Sequence, residues 1–187
     1  MEYINRAVED VVKHSAKTFK CVLITGARQT GKSTLVKHLY PNVKHVSFDD
    51  PFVEEQAKNN PEMFLSLNEP PVFLDEIQYV PSLFRYIKQS CDNNNSKELY
   101  YLSGSQPFKL MELASDSLAG RVAIIELPPL SLREIMKTNY TSPFIPTLEY
   151  VHNRNKKAIK PDNIWNIIHR GGYPEMQNPD VDWAMFF

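Results

Sequence analysis

The chain has 187 residues, 42% of them hydrophobic, and a formal net charge of −1. That length suits one domain with part of a second, and the apolar content is ample for a core. The near-neutral charge gives no electrostatic case for binding nucleic acid in bulk, and no apolar run approaches the roughly 20 residues that a membrane helix needs.

The start, Met1-Glu2-Tyr3-Ile4-Asn5, lacks a basic stretch followed by an apolar one, so no signal peptide is read there. Ile4, Val8, Val11 and Val12 are spaced for an amphipathic N-terminal helix. The apolar run Cys21-Val22-Leu23-Ile24 then predicts a buried strand. Gly26-Ala27-Arg28-Gln29-Thr30-Gly31-Lys32-Ser33-Thr34 comes next, and Leu35-Val36-Lys37-His38-Leu39 continues as a helical pattern. A strand, a glycine-containing loop ending in Gly-Lys-Ser and a helix make a phosphate-binding P-loop. Gly26 and Gly31 let the backbone curl so that successive N–H groups face one phosphate. The opening helix adds the positive end of its dipole. Lys32 brings a mobile charge to the β- and γ-phosphates, and the Ser33 hydroxyl suits a bridging Mg²⁺.

A second strand is expected near 43–48. After Pro70-Pro71, the run Val72-Phe73-Leu74 reads as a central strand of a parallel sheet, apolar on both faces. Asp75 stands where that strand emerges, at the carboxyl edge where α/β folds bind ligands. A carboxylate there suits the Mg²⁺ shell, usually through water. Glu76, one residue on, is a candidate to orient and polarise an attacking water. Leu83, Phe84, Ile87 and Cys91 then mark the apolar face of a helix.

Leu99-Tyr100-Tyr101-Leu102 predicts another strand, ending in Ser103-Gly104-Ser105-Gln106. Ser103, Ser105 or Gln106 is a candidate sensor of the γ-phosphate or the water. Arg121 closes Ser117-Leu118-Ala119-Gly120-Arg121, before a last strand near 122–127. It is a candidate to stabilise charge on a transferring phosphoryl group, in its own subunit or across an interface. An arginine at a strand start is more often a surface residue, and both readings stand at this point.

Beyond the strands, Pro128-Pro129 breaks the pattern and Ser131-Leu132-Arg133-Glu134 is a capping box. Pro143 and Pro146 mark an irregular linker. Arg154, Lys156, Lys157 and Lys160 read as its solvated basic run. Asp162 is expected to cap a helix bearing Ile164, Trp165, Ile167 and Ile168, closed by Gly171. Trp165 is expected in a core or an interface. Cys21 and Cys91 occupy core positions without metal-ligand spacing, which fits a reducing cytosol and predicts a cytoplasmic protein.

Taken in order, these pieces resemble the prokaryotic AAA+-like P-loop ATPases, which carry an ATP-binding domain and a C-terminal domain of unassigned function. The similarity lies in Gly26 to Thr34, Val72 to Gln78, Ser103 to Gln106, Leu118 to Val122, Leu130 to Glu134 and Gly171-Gly172-Tyr173-Pro174-Glu175. It implies an α/β fold, a three-layer α-β-α P-loop NTPase with a mostly parallel five-stranded sheet, followed by a partial helical lid. By analogy with the P-loop division that uses a catalytic glutamate, an extra strand is expected between the P-loop strand and the Asp-Glu strand. The implied organisation is an ATPase domain over 1–140, then a linker and the start of a lid over 141–187. Such proteins continue into a larger C-terminal domain, so a chain ending at Phe187 is expected to be truncated. The resemblance also implies ATP and Mg²⁺ binding, with Lys32, Ser33, Asp75 and Glu76 in the usual roles, and raises Arg121 to a candidate finger.

The expected function is an ATP-binding, Mg²⁺-dependent ATPase that couples nucleotide state to a C-terminal domain. A homo-oligomer is a further expectation, with a client protein or nucleic acid left open and no membrane. The alternatives are a nucleotide-dependent switch or DNA-associated assembly module with slow turnover, and a small-molecule kinase. Glu76 directly after Asp75 favours water as the acceptor over a kinase substrate.

Overall fold

The computed structural model describes residues 2–138 and 144–186. Its chain divides into two compact units, one of residues 8–127 and one of residues 1–7 with 128–187.

The larger unit is a five-stranded sheet. The strands are β1 (Cys21–Thr25), β2 (Lys44–Ser47), β3 (Val72–Asp75), β4 (Tyr100–Gly104) and β5 (Val122–Glu126), in the order β2-β3-β4-β1-β5. Every pairing is parallel. β4 is the strand that separates β1 from β3, while β2 takes the edge beyond β3. Parallel neighbours need crossover connections, and helices supply them.

Side chains alternate across the sheet with period two. Cys21 and Leu23 of β1, Val72 and Leu74 of β3, and Tyr100 and Leu102 of β4 share one buried cluster. The same cluster holds Leu83, Phe84, Ile87 and Cys91 of α5 (Leu83–Asn93) and Leu110, Ala114 and Leu118 of α6 (Pro107–Leu118). Each large aliphatic side chain buried there contributes about 1.5–3 kcal/mol. Val22, Ile24, Phe73 and Tyr101 point the other way and are equally buried. On that side lie α1 (Glu9–Thr18) and α2 (Lys32–Leu39), and the Tyr40 ring after α2 stands 4.2 Å from that of Tyr101.

Apolar periodicity forecasts neither of two further helices. α3 (Pro51–Asn59) and α4 (Pro61–Leu67) each begin with proline at the first turn, where its missing N–H does no harm. Asp50 caps the first through the Phe52 N–H at 2.9 Å, and Asn60 caps the second through the Met63 N–H at 3.1 Å. The N-terminal helix starts later than its apolar spacing suggests. Ile4 lies outside it, Val11 is 54% exposed, and the buried positions are Val12 and Ala16, four residues apart.

In the smaller unit the capping box is present at α7 (Leu132–Ile135). After it come α8 (Leu148–Lys156), α9 (Ile164–Arg170) and the short α10 (Trp183–Phe186). Asn163, not Asp162, caps α9, because its carboxamide accepts from the Asn166 N–H at 3.2 Å. Trp165 is 77% exposed, so it is no core residue of this chain. Pro143 lies outside the described residues. Among the described residues, no helix is long and apolar enough to cross a membrane.

Candidate active site

β1, β2, β3 and β4 run parallel, so the residues just past each strand share one edge of the sheet. That edge collects residues 26–34 after β1, Phe48 and Asp49 after β2, Asp75 and Glu76 at the end of β3, and Ser103 to Gln106 at the end of β4.

The loop after β1 has the backbone its sequence calls for. Gly26 sits at φ 147 and Gly31 at φ 91, both disfavoured for side-chain-bearing residues. A Cβ on Gly26 would stand 2.4 Å from the Leu127 carbonyl oxygen. Gln29, without glycine's freedom, also adopts a left-handed conformation at φ 63. Such alternation turns successive N–H groups into one concavity that attracts anions. Thr30 braces the loop by donating to the Ala27 carbonyl at 3.0 Å, and α2 opens at Lys32.

Lys32 is buried, with its ammonium donating to the carbonyls of Ala27 at 2.9 Å and Gly26 at 3.2 Å. Burial pushes it below the ordinary lysine value, against the opposing pull of the Glu76 and Asp75 carboxylates. The charges that act on this buried cation are the carboxylates of Glu76, Asp75 and Asp49 and the guanidinium of Arg28.

Asp75 is 5% exposed. Ser103 Oγ donates to its Oδ1, and His45 Nε2 lies 3.3 Å from Oδ2. Both oxygens therefore already have neighbours, which suits a carboxylate that holds a cation's water shell rather than the bare ion. The Ser33 hydroxyl and the Asp75 carboxylate are hard oxygen donors, the kind that Mg²⁺ takes.

Glu76 has left-handed backbone at φ 56. Its Oε2 accepts from the Ser105 N–H at 3.2 Å, from the Ser105 hydroxyl at 3.0 Å and from the Gln78 amide. Its own N–H meets Ser103 Oγ at 3.4 Å. So the end of β4 holds both carboxylates, Ser103 on Asp75 and Ser105 on Glu76.

A family model described as an AAA domain matches residues 18–136 of this chain. The chain belongs to that family of P-loop ATPases. This AAA domain is also 34% identical over 115 residues to the uncharacterized proteins Mb2031c of Mycobacterium bovis and Rv2008c of Mycobacterium tuberculosis. Those alignments cover 61% of the chain and 26% of each relative, so the chain spans about a quarter of their length. Among solved structures it is similar to the Walker-type ATPase PABY2304 of Pyrococcus abyssi, with 18% identity and a TM-score of 0.45 over 72% of this chain and 56% of that one. It is similar too to the signal transduction ATPase PH0952 of Pyrococcus horikoshii, which carries a tetratricopeptide repeat sensor, with 12% identity and a TM-score of 0.42 over 88% and 31%.

The AAA domain thus brings the 26–34 loop, Asp75, Glu76 and Gln106 to one edge. Gln106 is exposed there, just before α6. Arg121 is not among them. It precedes β5, and its carbonyl accepts from the N–H groups of Lys20 and Cys21 at the start of β1. That is the amino edge of the sheet, some five residues of strand from the phosphate loop, on the order of 16 Å away. Its guanidinium pairs there with Asp92 at 2.6 Å.

Sequence reasoning missed Asp49, His45 and Gln78. Asp49 is an exposed carboxylate just past β2, raised above its ordinary value by burial and by the charges of Glu76 and Asp75. Its signal was an acidic residue just past a forecast strand, the same signal that singled out Asp75. His45 and Gln78 join the site only through strand pairing and a turn, which no local pattern announces.

Proposed function

We propose that this AAA domain binds ATP with Mg²⁺ and hydrolyses it to ADP and phosphate. One observation supports the reading above the rest: the loop cation Lys32 and the carboxylates Asp75 and Glu76 share one sheet edge.

In this account the N–H groups of residues 26–33 and the opening of α2 hold the phosphates. Lys32 leaves the Gly26 and Ala27 carbonyls for the β- and γ-phosphate oxygens. Ser33 and Asp75 would hold Mg²⁺, which, when bound, neutralises charge on the phosphate oxygens. Glu76 takes a proton from the water as its oxygen bonds to the γ-phosphorus. The bond from that phosphorus to the β–γ bridging oxygen breaks, and the electron pair leaves with ADP. Gln106, on the same edge, is proposed as the residue that senses the γ-phosphate. Nucleotide state would be read by the residues past β5 and by any domain beyond them, in a cytosolic protein. Arg121 enters this chemistry only if a second copy brings its amino edge to the site.

The test separates binding from chemistry. Glu76→Gln keeps the side chain's size and removes the base. ATP affinity is expected to stay within about twofold, while phosphate release falls by about 10²–10⁴, the range of general-base contributions. Turnover at the parental rate in Glu76→Gln contradicts the assignment.

A further inference from the structure

Gln78 is a buried polar side chain with no part in the hydrolysis scheme above. It is 3% exposed, in a single turn of 3-10 helix, Ile77–Tyr79, directly after Glu76. Its Nε2 donates to Glu76 Oε2 and to Ser105 Oγ, the latter at 3.3 Å. Its Oε1 is buried and has no hydrogen-bond partner among the described residues. Leaving a carbonyl unpaired in the interior costs about 1–3 kcal/mol. Turning the amide over would not help, because it would set one acceptor against another at Glu76. The carboxylate therefore dictates the amide's orientation.

The surrounding backbone is shaped to allow it. The left-handed turn at Glu76, φ 56, aims side chains 76 and 78 at the same neighbour, Ser105. Gly104 leaves the space, since a Cβ there would stand 2.2 Å from Gln78 Oε1. All the hydrogen bonds to the Glu76 carboxylate fall on Oε2, and Oε1 accepts none among the described residues.

From this arrangement we infer that Gln78 is the positioning residue of Glu76: its amide, with Ser105, clamps Oε2 so that Oε1 faces the water. The inference rests on the hydrolytic reading above. It explains an otherwise unfavourable burial, because the amide's lost hydrogen bond at Oε1 is offset by a charge-assisted bond at Nε2. It also gives the backbone strain at Glu76 a use, since strained φ angles persist where the surroundings fix them.

The test compares the parent, Gln78→Glu, Glu76→Gln and the double variant, by ATP titration and by phosphate release in single turnovers. Gln78→Glu keeps the shape and replaces the donor with an acceptor. ATP affinity is expected to stay within about twofold and turnover to fall about 10- to 100-fold, as for a misplaced catalytic group. On the Glu76→Gln background the same change is expected to cost nothing more. Parental turnover in Gln78→Glu overturns the inference, and so does an equal loss on both backgrounds, which marks a packing role. Should Gln78→Glu fail to fold, the parent's Gln78 side-chain amide is followed by ¹⁵N NMR. Its two protons are expected to be shifted apart and slow to exchange, and to collapse toward free-amide values in Glu76→Ala. An unmoved signal in Glu76→Ala overturns the inference. A parent that binds no ATP, or a Glu76→Gln variant with parental turnover, brings down the hydrolytic reading and this inference with it. Loss in Glu76→Gln beside an unaffected Gln78→Glu brings down the inference alone.

Discussion

Arg6 and Glu134 stand 128 residues apart in sequence and form an ion pair at 3.2 Å, with both side chains less than a tenth exposed. The same carboxylate accepts from the Ala7 N–H at 2.7 Å, the Ser131 N–H at 2.6 Å and the Ser131 hydroxyl at 2.7 Å. Burial works to raise the pKa of Glu134, but these donors outweigh it and hold the group below its ordinary value of 4.5. A carboxylate depressed on folding stabilises the fold above its unfolded value and loses that contribution as pH falls through the folded one. Glu134→Ala takes the counter-charge from the buried Arg6 guanidinium, a loss of about 3–5 kcal/mol for the smaller unit at pH 7. Thermal melts of Glu134→Ala and its parent are expected to differ fully at neutral pH and to converge steadily below pH 4.5. A gap that is independent of pH would mean that the carboxylate's charge is irrelevant.

Arg121 is expected to matter little to its own chain's nucleotide site. Its pair with Asp92 is part-exposed, with side chains 30% and 44% accessible, so water and salt screen it. Arg121→Ala should cost less than about 1 kcal/mol and leave ATP affinity unchanged. A mixing experiment decides the remaining role. If Arg121→Ala is inactive, and mixing it with Glu76→Gln restores turnover in proportion to concentration, then Arg121 serves a neighbouring copy. Parental turnover in Arg121→Ala leaves it as a tie between β5 and α5.

Gly26→Ala strains the phosphate loop twice. The backbone angle is one that side chains rarely adopt, and the new methyl meets a carbonyl oxygen of the backbone, which cannot swing aside. Each effect costs about 1–3 kcal/mol. The variant is expected to melt lower and to bind ATP at least about tenfold more weakly. An unchanged melt with parental affinity would mean that the loop tolerates a different path.

The edge strand β2, Lys44–Ser47, has a single apolar residue, but the central parallel strands were legible as short apolar runs. Val72-Phe73-Leu74 between Pro71 and Asp75 is such a run, and it is fully buried in β3. The P-loop was legible because its chemistry demands contiguous residues. The order of strands was not written locally: analogy gives an extra strand between β1 and β3 without saying which, and the pairing identifies it as β4. α3 and α4 escape a reading by apolar periodicity, although Asp50-Pro51 and Asn60-Pro61 are both cap-and-proline starts. Their signal lies in capping chemistry instead. The partners of Glu76 lay out of reach, since Ser105 is 29 residues away and only strand pairing brings it back. Arg121 shows the opposite limit. Its neighbourhood in the sequence resembles a catalytic motif, yet the direction of β5 sets it at the far edge.

If the loop around Lys32 is a nucleotide site, ATP titration of Lys32→Ala exposes it. Lys32 is buried at the expense of its charge, so its removal should leave the melting temperature level or higher. The variant is expected to fold and to bind ATP at least about tenfold more weakly, a loss of about 1.4 kcal/mol or more. A folded Lys32→Ala protein that binds ATP with parental affinity would contradict a nucleotide site at this loop.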